Sequence, residues 1–250
     1  RYKDSVTSRK IFLERLELNN LSIENKNLYA EYVSLDNGLF DDFNLMSSTF
    51  KMVFEEDDLL ISNLYLRSAL SEISLNELQF HDISNVEERT KINFDIAPSF
   101  VTFEEFESLI PNSTLLRLQN SLFFEGKGLY DDGQINASKT KIQYLDSYFE
   151  GALYVEQINN KKSDFFFVSK DTNFNPLELS EFIELNAQWS SYLNSFSSLR
   201  WEGLIQREEN NFVVESIVDR NQGTLFSDLK YNEESETFNG LLSSDEFNFG

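Results

Sequence analysis

Between Leu122 and Val155 the chain reads LFFEGKGLYDDGQINASKTKIQYLDSYFEGALYV, and its apolar residues return at every second position. Leu122, Phe124, Gly126, Gly128 and Tyr130 share one parity, while Phe123, Glu125 and Lys127 take the other. A β-strand sends successive side chains to opposite faces, so this period predicts a strand with one apolar and one polar side. Asp131-Asp132-Gly133 then supplies a hairpin turn, because Asp and Gly tolerate the positive φ that tight turns require. Ile135 and Ala137 resume the pattern, followed by Ile142 and Tyr144, then by Phe149, Gly151, Leu153 and Val155. The expected unit is a meander of short strands that share one apolar face.

The remainder of the chain repeats this theme. Apolar residues alternate locally at Leu16 and Leu18, Leu21 and Ile23, and Leu28, Ala30 and Tyr32, with breaks at Asn19-Asn20 and at Glu24 to Asn27. Asp36-Asn37-Gly38 reads as a hairpin turn. Strand-sized segments follow around Phe50, Met52 and Phe54, from Ile61 to Leu70, from Ile73 to Phe80, and at Ile92, Phe94 and Ile96. The last fifty or so residues alternate again, with turns at Glu208 to Asn211, Asn221-Gln222-Gly223 and Glu233 to Glu236. Regular spacing of about 10 to 13 residues is the mark of up-and-down β architecture.

Two stretches depart from it. Thr102-Phe-Glu-Glu105 has the form of a capping box, with Phe103, Phe106 and Ile110 on one helical face and Pro111 as a stop. Asn175-Pro176-Leu-Glu178 opens a second helix, with an amphipathic stripe of Leu179, Phe182, Leu185, Trp189, Leu193 and Phe196. The expected fold is therefore all-β: one elongated domain over residues 1–250, an open meander forming a half-closed groove. Two short amphipathic helices, near 102–110 and 176–196, would interrupt it. The chain begins with Arg1 and ends at Gly250 within a strand-like pattern, so the expectation is an excerpt of a longer protein.

Charge and composition narrow the functional classes. With 43 acidic against 21 basic residues the net charge is −22, a field that repels nucleic-acid phosphates and anionic bilayer surfaces. No nucleic-acid partner is expected. The absence of cysteine removes thiol catalysis, disulfides and cysteine-ligated zinc, and one histidine leaves little for any other zinc site. His81 would have to serve any Ser–His–Asp triad, but it sits in LQFHDIS with no nucleophile elbow in the chain; a surface strand-end histidine is the expected role, with a bond to nearby Asp82 as the alternative. Gly126-Lys127-Gly128 lacks the third glycine and the following helix of a phosphate-cradling loop. Glu55 to Asp58 and Asp131-Asp132 lack calcium-loop spacing and read as solvated turns. No catalytic residue, metal or cofactor is assigned.

A family resemblance carries the reading further. LFFEGKGLYDDGQINASKTKIQ (122–143) and YFEGALYV (148–155) resemble the recurring unit of the periplasmic β-rich repeats of TamB and the wider AsmA-like, bridge-like lipid-transfer proteins. That unit is a glycine-ended strand, a turn, and a strand of the form aromatic-x-Gly-x-Leu. DFFFVSKDTNFNPLELSEFI (164–183), RWEGLIQREENNFVVES, GTLFSDLKY and FNGLLSSDEFNFG are similar to other phrases of that family. The resemblance implies a hydrophobic trough along which phospholipid acyl chains slide between inner and outer membranes, in outer-membrane biogenesis and without catalysis. It places the chain in the periplasm, anchored in the inner membrane by a helix outside this segment. It also implies, through regions outside this segment, a partner that is an outer-membrane barrel of the TamA or assembly-machinery type. The apolar parity names the expected lining: Leu122, Phe124, Ile135, Ala137, Ile142, Tyr144, Phe149, Leu153, Val155, Phe165, Phe167, Trp201, Ile205, Val214 and Leu225. Moving an acyl chain through water costs about 0.8 kcal/mol per exposed CH₂, which such a lining would remove. Two other readings fit the strands: a surface or secreted adhesin or assembly scaffold with a dry core, and a carbohydrate-active β-protein with a facing carboxylate pair.

Overall fold

The computed structural model describes residues 11–24, 27–40, 43–83, 91–106, 118–156, 164–175, 178, 198–220 and 223–245. These form fourteen strands in one antiparallel sheet whose spatial order is their order in the chain. The first six are β1 (Ile11–Glu24), β2 (Asn27–Phe40), β3 (Phe43–Glu55), β4 (Asp58–Arg67), β5 (Glu72–His81) and β6 (Lys91–Val101). A 3-10 turn at Phe103–Phe106 precedes β7 (Leu122–Asp131), β8 (Gln134–Tyr144), β9 (Ser147–Val155) and β10 (Phe165–Phe174). After them come β11 (Leu199–Glu208), β12 (Asn211–Arg220), β13 (Gly223–Asn232) and β14 (Thr237–Asp245). The sheet is not closed into a barrel: β1 pairs with β2 and β14 with β13, and the two outer strands do not pair with one another. The all-β meander read from the period-two pattern is the fold.

Local sequence sets most hairpins. Asp132 and Gly133 have φ of 44° and 85°, the pair of positive values a two-residue hairpin needs, so β7 turns directly into β8. Glu56 and Glu209 take φ of 53° and 54° at the β3–β4 and β11–β12 turns. Asp36-Asn37-Gly38, by contrast, lies inside β2, and Asn37 with φ 48° kinks the strand without reversing it.

Bulges repair what the sequence leaves irregular. Leu18 and Leu21 of β1 face Val33 and Ala30 of β2, which in turn face Phe50 and Met52 of β3. Phe50 and Met52 are two residues apart, so all six side chains share one side of the sheet. The extra residue in β1 falls at Asn20, whose φ is 51°, and its counterpart in β2 lies between Ala30 and Val33. Asn63, with φ 51°, does the same for Ile61 and Leu64 in β4. An inserted residue in a left-handed conformation flips the parity of the rest of its strand, and Asn accommodates that conformation more readily than other non-glycine residues.

The helices read from the sequence are largely outside the described residues. Of 102–110, the described part is the 3-10 turn, and Phe103–Phe106 leans against β3. Thr102 does not cap it with its side chain; its hydroxyl donates to Leu70 O at 3.0 Å and lies 2.9 Å from Ser121 Oγ. Of 176–196, only Glu178 is described, in a turn. Several enclosed side chains belong to the strands and turns near the 3-10 turn: Leu45, Ser71, Phe43, Ser68, Val101 and Leu118 are all buried.

Candidate functional site: the apolar face of the sheet

Register joins single apolar residues into continuous ladders, because directly paired residues lie on the same face. One ladder runs Leu21, Ala30, Met52, Ile61, Leu78, Phe94, Gly128, Ala137, Leu153, Phe167, Ile205, Val214, Leu229, Gly240, one residue from each strand and no polar side chain among them. Beside it runs a second: Ile23, Leu28, Phe54, Leu59, Phe80, Ile92, Tyr130, Ile135, Val155, Phe165, Arg207, Phe212, Tyr231, Phe238. At the usual strand spacing each spans roughly 60 Å across the sheet. The one charge, Arg207, is 11% exposed and internally neutralised: its Nη2 donates to Glu233 at 3.1 Å and its guanidinium lies 5.2 Å from the Phe212 ring centroid.

From β7 to β13 a third line is made of small residues: Gly126, Thr140, Gly151, Ser169, Gly203, Ser216 and Ser227. It lowers the floor between the first ladder and a bulky line of Phe124, Ile142, Phe149, Thr172, Trp201, Val218 and Leu225. Its hydroxyls are largely used internally, Ser169 donating to Thr172 Oγ1 at 2.8 Å and Ser216 lying 2.7 Å from Ser227 Oγ. Aromatic rings close over the glycines. A Cβ on Gly128 would meet Phe94 Cζ at 2.6 Å, and one on Gly151 would meet Phe149 Cζ at 2.8 Å. Phe149 stacks on Phe167 at 4.3 Å, and Phe167 on Trp201 at 5.7 Å. A cavity of about 430 Å³ opens on this face over β5–β9, lined by residues that include Phe94, Val101, Phe103, Phe124, Ile142 and Leu153. That volume lies in the range of small-ligand sites.

The opposite face carries the ion pairs, among exposed apolar side chains that include Phe123, Phe166, Ile217 and Phe226. Lys127 pairs with Asp95 at 3.1 Å, Lys141 with Glu125 at 3.1 Å, and Arg200 with Asp171 at 3.4 Å. Such exposed pairs contribute about 0–1 kcal/mol each and serve solubility more than stability. On this face Tyr148, whose hydroxyl is held by Asp171 and partly shielded from water, is pushed up to about 12. Its folded pKa exceeds its ordinary value of 10.0, so its contribution to stability is complete below pH ~10 and lost as pH rises through ~12. Spectrophotometric titration should show a tyrosine ionising near pH 12 that Tyr148→Phe removes; an unchanged titration would refute that assignment.

His81 ends β5, and its side chain meets Asp58 on the neighbouring strand β4. Its Nδ1 lies 2.9 Å from Asp58 Oδ2, while Asn93 Nδ2 sits 2.9 Å from Nε2. With the Asn93 amide donating to Nε2, the ring proton belongs on Nδ1, directed at Asp58. Asp58 also accepts from the Asp82 backbone N–H, the main reason its carboxyl is held below the usual range. Among the described residues no group of three or more His, Asp or Glu side chains could hold a metal ion.

The residues expected from sequence to line the trough fall together. Ile135, Val155 and Phe165 stand in the second ladder; Ala137, Leu153, Phe167, Ile205 and Val214 in the first. Phe124, Ile142, Phe149, Trp201 and Leu225 form the bulky line, and Leu122 and Tyr144 lie beyond it, paired with Val101 and Ser147. Sequence reasoning missed the contribution of β1–β6, including Leu21, Met52, Ile61, Leu78 and Phe94. The alternation that marks them was present, but Asn20, Asn37 and Asn63 break its parity. Comparison with protein-family models, characterised proteins and solved structures finds no match to this chain.

Proposed function

We propose that this chain is a segment of a periplasmic lipid conduit of the TamB or AsmA-like type, in which acyl chains lie along the apolar face while the charged face stays in water. The observation that carries the reading is the uninterrupted apolar ladder through all fourteen strands of a sheet that does not close on itself. A single-layer sheet with such a face leaves a long apolar strip to be covered, and strips larger than a few hundred Å² mark interaction sites. Its lining offers few polar groups to fix a ligand, so an occupant would be free to slide. Phospholipids are the expected occupants, and no catalytic step is assigned.

A second reading, a scaffold assembling by strand addition, draws on β14. It is the last strand among the described residues; all nine of its residues are exposed, Phe238 by 75% and Leu241 by 66%, and it carries neither Lys, Pro nor a bulge. Native mass spectrometry of the purified chain, with extraction of whatever co-purifies, separates the two. Several phospholipids per chain, lost in Phe124→Asp and Leu153→Asp, is the result expected of a conduit. Lipid-free chains that grow into concentration-dependent oligomers would replace that reading with the scaffold.

A further inference from the structure

The glutamates of the two motifs that read as helix caps bond to neighbouring hairpin turns. Thr102-Phe-Glu-Glu105 follows β6 and Asn175-Pro-Leu-Glu178 follows β10, at an offset of 178 − 105 = 73 residues, or four strands. Glu105 grips the turn between β4 and β5. Its Oε2 accepts from Ser68 Oγ at 2.5 Å and Ser71 Oγ at 2.6 Å, and its Oε1 accepts from the Leu70 backbone N–H at 2.9 Å. Ser71 Oγ in turn accepts from the Thr102 N–H at 3.0 Å. Glu178 treats the turn between β8 and β9 in the same way, accepting from the Asp146 and Ser147 N–H groups at 3.1 Å each, while the Asn175 N–H donates to Ser147 Oγ at 2.9 Å. Neither carboxylate is spent on its own segment. Each ties the chain leaving one strand to the hairpin turn beside it, at the same edge of the sheet.

The first latch has a consequence for the apolar face. Phe103, between Thr102 and Glu105, lines the cavity over β5–β9, and the turn it belongs to leans on β3 across the intervening strands. Glu105 is bonded to Ser71, which at 1% exposure is among the most enclosed side chains described. Glu105 itself is half-buried, and a carboxylate receiving three hydrogen bonds is held in place because bonds to a charged acceptor are stronger than neutral ones.

We propose that Glu105 is a positioning residue that holds Phe103 as the end wall of this cavity, and that Glu178 repeats the latch one four-strand module later. The inference rests on the apolar face being a binding trough. Acyl chains would enter along the ladders and meet a stop where the latch brings Phe103 down onto the sheet.

The test uses hydrogen exchange together with binding of Nile red, an uncharged apolar dye unaffected by the chain's negative field. Glu105→Ala should speed exchange at the Leu70 and Thr102 amides by about ten- to a hundredfold, as expected for loss of a buried charged hydrogen-bonding partner. It should also weaken dye binding to the same extent as Phe103→Ala, since both remove the same wall. Glu105→Gln, which keeps one acceptor oxygen, should restore part of the affinity. Glu178→Ala should speed exchange at Asp146 and Ser147 and leave the dye at β5–β9 unchanged. Ser71→Ala removes the bond to Glu105 and the acceptor of the Thr102 N–H but leaves Glu105 its bonds to Ser68 and Leu70, and serves where Glu105→Ala fails to fold. Faster exchange with unchanged dye affinity would overturn the positioning role while sparing the trough. Wild-type chain that binds no dye would overturn the trough reading and this inference together.

Discussion

Gly151→Ala should destabilise the sheet by about 3 kcal/mol, the upper end of what overpacking ordinarily costs. A Cβ there would stand 2.0 Å from Val168 O and 2.8 Å from Phe149 Cζ, so backbone as well as ring would have to move. The displaced ring is the one stacked on Phe167, which extends the damage along the aromatic line into β10 and β11. Gly133 is the control. Nothing lies within 4 Å of its added Cβ, and its φ of 85° is one that Asn tolerates, so Gly133→Asn should cost only a few tenths of a kcal/mol. Urea unfolding followed by circular dichroism would report both. Equal midpoints for the two variants would show that close packing over Gly151 does not hold these strands together.

Phe167→Asp and Phe166→Asp should behave as opposites, although the residues are neighbours on one strand. Phe167 pairs with Leu153 and Ile205 in the first ladder and stacks between Phe149 and Trp201. Phe166 pairs with Tyr154 and Gln206 on the other face and is 38% exposed. A carboxylate at Phe167 places an unpaired charge in the middle of the apolar face, where it must stay hydrated or be neutralised. Bound phospholipid per chain, measured by native mass spectrometry, should fall at least about tenfold, since a little more than 1 kcal/mol of differential affinity suffices for that. Phe166→Asp should retain it. Equal loss in both would mean that lipid does not distinguish the faces, and the conduit proposal would fail with it.

Much of this fold was legible because its determinants are local. Period-two alternation in Leu122–Val155 names the strands and their faces, and Asp132-Gly133 fixes a two-residue hairpin. When consecutive strands pair with their chain neighbours, each turn also sets the register of the next pair, so a meander is the topology that sequence reveals most directly. The apolar face from β7 to β13 was legible for the same reason. The latch was not legible, because Thr-x-x-Glu and Asn-x-x-Glu suit a helix start as well as a tie between the chain and a neighbouring turn. Which one forms depends on whether a hairpin turn such as Ser68–Ser71 lies within reach of the carboxylate, and that turn comes 34 or more residues earlier in the chain.

What the sequence determined by itself is the strand content, most of the turns, the acidic exterior and the parity of each well-formed strand. The tertiary structure decided the rest. Bulges at Asn20 and Asn63 return β1 and β4 to the face their neighbours use, and glycine floors at Gly128 and Gly151 admit the rings of Phe94 and Phe149. Alternation is a property of each strand alone, set by backbone geometry. A ladder through fourteen strands exists only once every register is fixed, and each register depends on hydrogen bonds to a partner that the strand's own residues do not specify.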